Sequence, residues 1–112
     1  MGAEWPGAPT FALDVEARDG WTRVTVSGEL DLATVDPFSE AVRDGLAAGA
    51  VVIDLRDVSF MDSSGVRALN TALREAADAG RELRVAEGMQ PIVLQVLEIT
   101  GMLGLLPVGD AP

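Results

Sequence analysis

The segment VVIDLRDVSFMDSSGV, residues 51–66, decides the fold of this chain. It begins with an apolar run, residues 51–55, that only Asp54 interrupts. Such a run is typical of a strand that is buried on both faces of a parallel sheet. The segment ends in small polar residues, which favour a helix start because their side chains accept hydrogen bonds from free backbone N–H groups. A buried strand that leads directly into a helix predicts an α/β fold.

The residues that follow this segment carry the clearest helical pattern of the chain. Val66, Leu69, Leu73 and Ala76 recur at the spacing of one helical face. Gly80 comes after them, and a glycine at this place is typical of a helix C-terminus.

Two alternating runs of apolar and polar residues, residues 10–17 and 21–28, precede the segment. Asp19 and Gly20 lie between them, and an Asp-Gly step between alternating runs is a strong hairpin signal. The sequence therefore predicts that the chain opens with an antiparallel β-hairpin.

A first helix is predicted between this hairpin and the buried strand. Asp36 fits the N-cap, and Pro37 fits the first helical position, where its missing N–H costs nothing. Gly49 is expected to end the helix. The apolar residues that recur at helical spacing are Phe38, Ala41, Val42, Gly45 and Leu46.

The C-terminal part predicts a strand, a helix and a short last strand at residues 82–86, 91–100 and 105–108. The predicted order is β-β-α-β-α-β-α-β. It indicates an α/β fold with a mixed, mostly parallel sheet that a β-hairpin opens. The predicted inner side of the last helix comprises Ile92, Val93, Val96, Leu97 and Thr100.

The length of 112 residues fits one domain. We expect that domain over residues 10–108, between a flexible N-terminal tail at residues 1–9 and a C-terminal tail at residues 109–112. Hydrophobic residues make up 48% of the chain, which argues against disorder.

The composition excludes several kinds of catalytic site. The chain has no histidine and no cysteine, and all eight of its basic residues are arginine. It therefore lacks the usual base of a serine triad, a thiolate nucleophile, and the lysine of a phosphate-binding loop or a Schiff base. Carboxylates, hydroxyls and arginines remain for any chemistry.

The net charge of −10 bears on the partners of the chain. It argues against nucleic acid and against an anionic membrane surface, since both require basic residues, and it is compatible with a basic protein partner. We find neither a signal-peptide pattern nor an apolar run long enough for a bilayer, so a cytoplasmic location is the default expectation.

Three motifs, in order along the chain, resemble the STAS domain and more narrowly the bacterial anti-sigma factor antagonist family. The specific one is the strand at residues 51–55 with the Asp-Ser-Ser-Gly motif at residues 62–65. GELDLAT, residues 28–34, resembles the motif that follows the hairpin in that family, and VLEITGM, residues 96–102, is a weaker match. The resemblance covers residues 10–108 and implies a STAS-like fold.

The resemblance implies a regulatory binding protein, not an enzyme, and implies no cofactor or metal. Members of this family bind an anti-sigma factor that is also a serine kinase with bound ATP, and binding frees the sigma factor. The kinase phosphorylates the first hydroxyl residue after the aspartate, which is Ser63 here, and a serine phosphatase restores the protein. The partner-binding residues that follow from the resemblance are Asp31, Asp62, Ser63, Ser64, Gly65 and Arg67.

Plainer interpretations of these residues stay open. Asp31 is either a contact of the kinase or an Asx-turn residue. Asp62 either orients Ser63 or helps to hold the loop, or it is a plain helix N-cap. Arg67 lies four residues after Ser63 on the same side of the helix. It either contacts a phosphate or a partner, or it is an exposed residue that only adds solubility. Asp54 is expected to be structural and to bind loop amides.

Two alternative functions also stay open. Asp54, Asp57 and Asp62 near strand ends are compatible with a phosphate receiver or a metal-dependent phosphatase, although a receiver normally needs a lysine. STAS domains also serve as interaction modules in lipid-transport and sensor complexes, without a phosphorylation switch. The apolar stretch at residues 102–106, if exposed, is a candidate surface for self-association.

Overall fold

A computed structural model describes residues 11–110 of the protein. The predicted N-terminal tail, residues 1–9, lies outside the described residues. In chain order the elements are β1 (Phe11–Arg18), β2 (Trp21–Leu30), α1 (Val35–Ala48), β3 (Ala50–Met61), α2 (Ser63–Ala79), β4 (Leu83–Val85), α3 (Pro91–Ile99) and a 3₁₀ turn (Leu103–Leu105).

The four strands form one sheet in the order β1-β2-β3-β4. β1 and β2 pair antiparallel, and β3 pairs parallel with both β2 and β4. The hairpin turns through Asp19 and Gly20, both at positive φ (51° and 84°), as the Asp-Gly step predicts. The mixed, mostly parallel sheet opened by a hairpin is therefore confirmed.

The helices cover one face of the sheet, and the core lies beneath them. Alternate residues of β2 and β3 point to the helices because side chains of a strand alternate between its two faces. Gly45 lets α1 approach closely, since a Cβ at this position would come within 2.8 Å of the Val51 side chain. Core residues of this layer include Val24, Val26, Phe38, Val42, Val51, Ile53, Leu55, Leu69, Val85, Val93 and Leu97.

The third strand is longer than the apolar run predicts. β3 continues beyond Leu55 to Met61, so Phe60 and Met61 are its last two residues. Pairing with β2 continues along this stretch, and its register shifts at two irregularities, between Thr25 and Ser27 and between Gly28 and Glu29 of β2. The strand therefore ends directly at Asp62, and no loop of several residues separates it from α2.

The prediction that Asp36 is the N-cap of the first helix is wrong. α1 begins at Val35, and Thr34 is its N-cap. The backbone N–H groups of Thr34 and Val35 both donate to the Asp31 carbonyl, at 3.0 and 2.9 Å, so the first turn closes earlier. Pro37 still lies in that first turn, where a helix needs no backbone donor.

The predicted last strand at residues 105–108 is reduced to one bridge, between Val108 and Val85. Pro107 lacks an N–H and serves only as an acceptor, from the Val85 N–H at 3.0 Å. Gly109, which the sequence assigns to a tail, donates to the Val85 carbonyl at 2.8 Å. Leu105 is exposed in the 3₁₀ turn before the bridge.

The inner side of the last helix is correct only in part. Val93 and Leu97 are buried on α3, as the spacing predicts. Ile92 and Thr100 are exposed. In the apolar stretch at residues 102–106, Met102 and Leu106 belong to the core, whereas Leu105 is exposed. Self-association through this stretch stays a prediction.

The face of the sheet opposite the helices carries a buried carboxylate between two arginines. Asp54 is 3% exposed and accepts hydrogen bonds from Arg23 Nη2 at 2.6 Å and Arg56 Nη2 at 2.8 Å. It also accepts from the backbone N–H of Arg56 at 3.1 Å, as expected for a structural residue. Burial raises the pKa of Asp54, but the hydrogen bonds from Arg56 and Arg23 outweigh burial and lower the pKa to about 2.

This arrangement predicts a defined acid sensitivity. Because the pKa of Asp54 falls from 3.8 to about 2 on folding, its contribution to stability is present above pH 4. That contribution, roughly 2 kcal/mol, is lost as the pH falls toward 2. Urea unfolding of Asp54→Asn between pH 5 and 2 is expected to lack this part of the loss. The control Asp44→Asn, an exposed carboxylate on α1, should follow the wild type, and equal acid sensitivity of all three proteins contradicts the assignment.

Candidate functional site

Two loops meet at the carboxyl ends of β2 and β3. Leu30 pairs with Met61 at the ends of these parallel strands, so Asp31 and Asp62 begin neighbouring loops at the same edge of the sheet. One loop leads into α1 and the other directly into α2. This edge is where open α/β sheets usually place their ligand sites.

The carboxylate of Asp62 joins the two loops. Its Oδ1 atom accepts hydrogen bonds from the backbone N–H groups of Ser64 at 2.8 Å and Gly65 at 3.3 Å, so Asp62 is the N-cap of α2. Its Oδ2 atom accepts a longer hydrogen bond, at 3.4 Å, from the backbone N–H of Leu32 in the neighbouring loop. The capping interpretation of Asp62 is confirmed, and the same side chain also positions the loop before α1.

Ser63 is the first residue of α2, and its side chain is exposed. The hydroxyl makes no hydrogen bond within residues 11–110. The N-terminus of a 17-residue helix favours negative charge through its dipole. The structure therefore presents an accessible hydroxyl at a place suited to an anion. Ser64 is half-buried, and its backbone N–H is the donor to the Asp62 cap.

Gly65 is buried, so it is not part of the exposed surface. A Cβ at this position would lie 2.7 Å from the Met61 side chain and 2.9 Å from the Leu30 carbonyl oxygen. The missing side chain lets the first turn of α2 lie directly against the ends of β2 and β3. Gly65 therefore acts on the site through this close approach, and its contact with a partner stays a prediction.

Asp31 forms the Asx turn that the sequence suggests. Its Oδ1 atom accepts a hydrogen bond from the backbone N–H of Ala33 at 3.0 Å. Thr34 completes the turn, because its hydroxyl accepts from the Asp31 N–H at 3.0 Å and donates to the Glu29 carbonyl at 2.8 Å. The loop before α1 is thus held by its own polar side chains as well as by Asp62.

Arg67 lies one turn after Ser63, and its side chain is exposed. It makes no ion pair with another residue in the described part of the chain. Together with Ser64 it lines a groove of about 320 Å³ between α1 and α2. An ion pair between Arg43 and Glu75, at 3.9 Å, crosses the groove farther along the helices.

The sequence pattern missed two features of this region, the groove and Leu32. Leu32 lies in the loop before α1, and its side chain is 76% exposed. The available signal was a large apolar residue directly after Asp31 and two positions before Thr34, both of which are polar turn residues. The groove arises from the packing of two helices, which no local pattern predicts.

The acidic residues near the strand ends do not form a metal centre. Asp54 lies on the open face of the sheet between two arginines, whereas Asp62 caps α2. In residues 11–110 we find no group of three or more acidic side chains that could hold a metal ion. None of the helices described is both long and apolar enough to cross a membrane.

The chain belongs to the STAS domain family, whose model matches residues 12–111. It is 28% identical over 100 residues to the anti-sigma-B factor antagonist of Staphylococcus aureus, and this alignment covers 88% of our chain and 92% of that protein. A crystal structure of an anti-sigma factor antagonist from Mycobacterium paratuberculosis superposes with a TM-score of 0.79 at 28% identity, over 93% and 90% of the two chains. The phosphorylated form of the Bacillus cell fate determinant SpoIIAA superposes with a TM-score of 0.69 at 22% identity, over 90% and 92%.

The tight packing at Gly65 gives a prediction on stability. Gly65→Ala is expected to lower the free energy of unfolding by about 1–3 kcal/mol, because the added methyl group meets a backbone carbonyl that cannot rotate away. Gly104→Ala is the matched control, since a Cβ there meets nothing within 4 Å. Urea unfolding checks both variants, and a Gly65→Ala protein as stable as the wild type contradicts the close approach.

Proposed function

We propose that this protein is an anti-sigma factor antagonist that binds an anti-sigma factor serine kinase and is switched off by phosphorylation of Ser63. The observation that carries the proposal is the exposed Ser63 hydroxyl at the N-terminus of α2, held beside the Asp62 cap. The names of the relatives support the antagonist role, and such antagonists are regulatory binding proteins. The proposal implies action in the cytoplasm, where sigma factors meet their polymerase.

A phosphate on Ser63 is compatible with the fold. The residue is exposed at the first position of α2, so the phosphate adds its charge of about −1.5 to −2 outside the core. The dipole of the helix favours that charge. SpoIIAA supports this point, because its phosphorylated form has the same fold as our chain.

The same phosphate is expected to oppose the partner. Asp62 lies directly before Ser63, and Asp31 begins the neighbouring loop, so the phosphate joins two carboxylates at one edge of the sheet. A charged group that an interface buries without a partner of its own costs several kcal/mol of binding free energy. Phosphorylation therefore releases the kinase through the bulk and the unpaired charge of the phosphate, and a serine phosphatase restores binding.

Substitutions at two neighbouring serines test the switch. Each anti-sigma factor serine kinase of the same organism is purified and incubated with ATP and the antagonist, and mass spectrometry locates the phosphate. We expect one phosphate on the wild type and on Ser64→Ala, but none on Ser63→Ala. Ser63→Ala should still bind the kinase, whereas Ser63→Asp should bind it more weakly.

Other outcomes separate the alternatives. Full labelling of Ser63→Ala, or equal binding by Ser63→Asp and the wild type, contradicts the switch at Ser63. If the wild type forms no complex with these kinases and accepts no phosphate, the function as an interaction module without a switch replaces the proposal.

A further inference from the structure

Leu32 is the most exposed large apolar side chain in the part of the chain that the structure describes. It lies between Asp31 and Ala33, in the loop that joins β2 to α1. Single exposed apolar residues are common on protein surfaces and carry no meaning alone. The surroundings of Leu32 distinguish it from the others.

The backbone on both sides of Leu32 is fixed by hydrogen bonds. Its own N–H donates to Asp62 Oδ2 at 3.4 Å, and the next N–H, of Ala33, donates to Asp31 Oδ1 at 3.0 Å. The N–H of Val35 donates to the Asp31 carbonyl at 2.9 Å. A loop whose backbone is held in this way loses little backbone freedom on binding, so more of the energy of an apolar contact at Leu32 is retained as affinity.

Leu32 also forms the rim of the groove between α1 and α2. The groove contains Val35 beside Leu32, and it reaches Ser64 and Arg67 on the helix that begins with Ser63. An apolar contact at Leu32 is therefore continuous with the surface that surrounds the proposed phosphorylation site.

The charges around Leu32 indicate what its partner presents. Asp31 precedes it, Asp62 binds its backbone, and Asp36 lies exposed in the first turn of α1. These three carboxylates belong to the two loops and the first helical turn next to Leu32, on a protein with a net charge of −10. The complementary surface is an apolar pocket with a basic rim.

We infer that Leu32 is the apolar anchor of the interface with the anti-sigma factor kinase, and that Asp62 holds it in position. The inference rests on the proposed function, because it names a contact of the same interface. It also gives the switch a physical route. In the complex, the Leu32 side chain must lose its water. A phosphate on Ser63, near Leu32, holds water around its own charge, so the kinase pocket cannot exclude water from Leu32.

Binding kinetics with the purified kinase test this anchor. The kinase is loaded with ADP, so that Ser63 is not phosphorylated during the measurement. Leu32→Ala is expected to dissociate about tenfold faster than the wild type, with an association rate changed by less than about twofold, because removal of a buried apolar anchor acts mainly on dissociation. Leu32→Met, which keeps an apolar side chain of similar size, should restore most of the slow dissociation. Leu105→Ala is the matched control, since Leu105 is 66% exposed in the 3₁₀ turn and outside the two loops.

The outcomes separate this inference from the function on which it rests. If the wild type binds and Leu32→Ala dissociates no faster than Leu105→Ala, the anchor is wrong and the proposed function stands. If Leu32→Met is as weak as Leu32→Ala, an apolar anchor is also contradicted. If the wild type binds none of these kinases, the function and the anchor fail together. Thermal unfolding of each variant checks that the fold is kept, which the exposure of Leu32 predicts.

Discussion

The carboxylate of Asp62 is the interaction on which the rest of the site depends. One oxygen caps α2 through the N–H groups of Ser64 and Gly65, and the other accepts from the N–H of Leu32 across the gap between two loops. This single side chain sets where α2 begins, and so it places Ser63 at the first helical position. It also ties that position to the loop before α1.

The sheet gives this interaction its geometry. β2 and β3 are parallel neighbours that end together, and Gly65 allows α2 to start directly against their last residues. A hydroxyl at such a place is exposed, while the backbone around it is held by the Asp62 cap. In the proposed function, added charge there lies outside the core and changes what a partner meets, which is what a reversible binding switch requires. For partner binding, the position of the added phosphate at Ser63 therefore matters more than the net charge of −10 that the protein already carries.

The features that depend on local sequence could be predicted, whereas those that depend on contacts between distant residues could not. The Asp-Gly turn at residues 19–20 and the helical stripes follow from conformational preferences and periodicity, which a sequence carries openly. Asp36 was a reasonable cap, but hydrogen bonds to the Asp31 carbonyl began the helix earlier. In place of the strand expected around Val108, the structure has a single bridge between Val108 and Val85, next to Pro107. The exposure of Leu32 depends on how two loops and two helices meet, and no local pattern records that.

We propose that negative charge at the start of α2 acts on the partner and not on the fold. The most direct test compares the purified Ser63-phosphorylated and unphosphorylated proteins, with calorimetry for the affinity toward the kinase and thermal unfolding for stability. We expect a loss of affinity on the order of a hundredfold from the buried, unpaired charge of the phosphate, with little change in the unfolding midpoint. Equal affinity of the two forms, or a phosphorylated form that has lost its folded structure, contradicts this role of the charge.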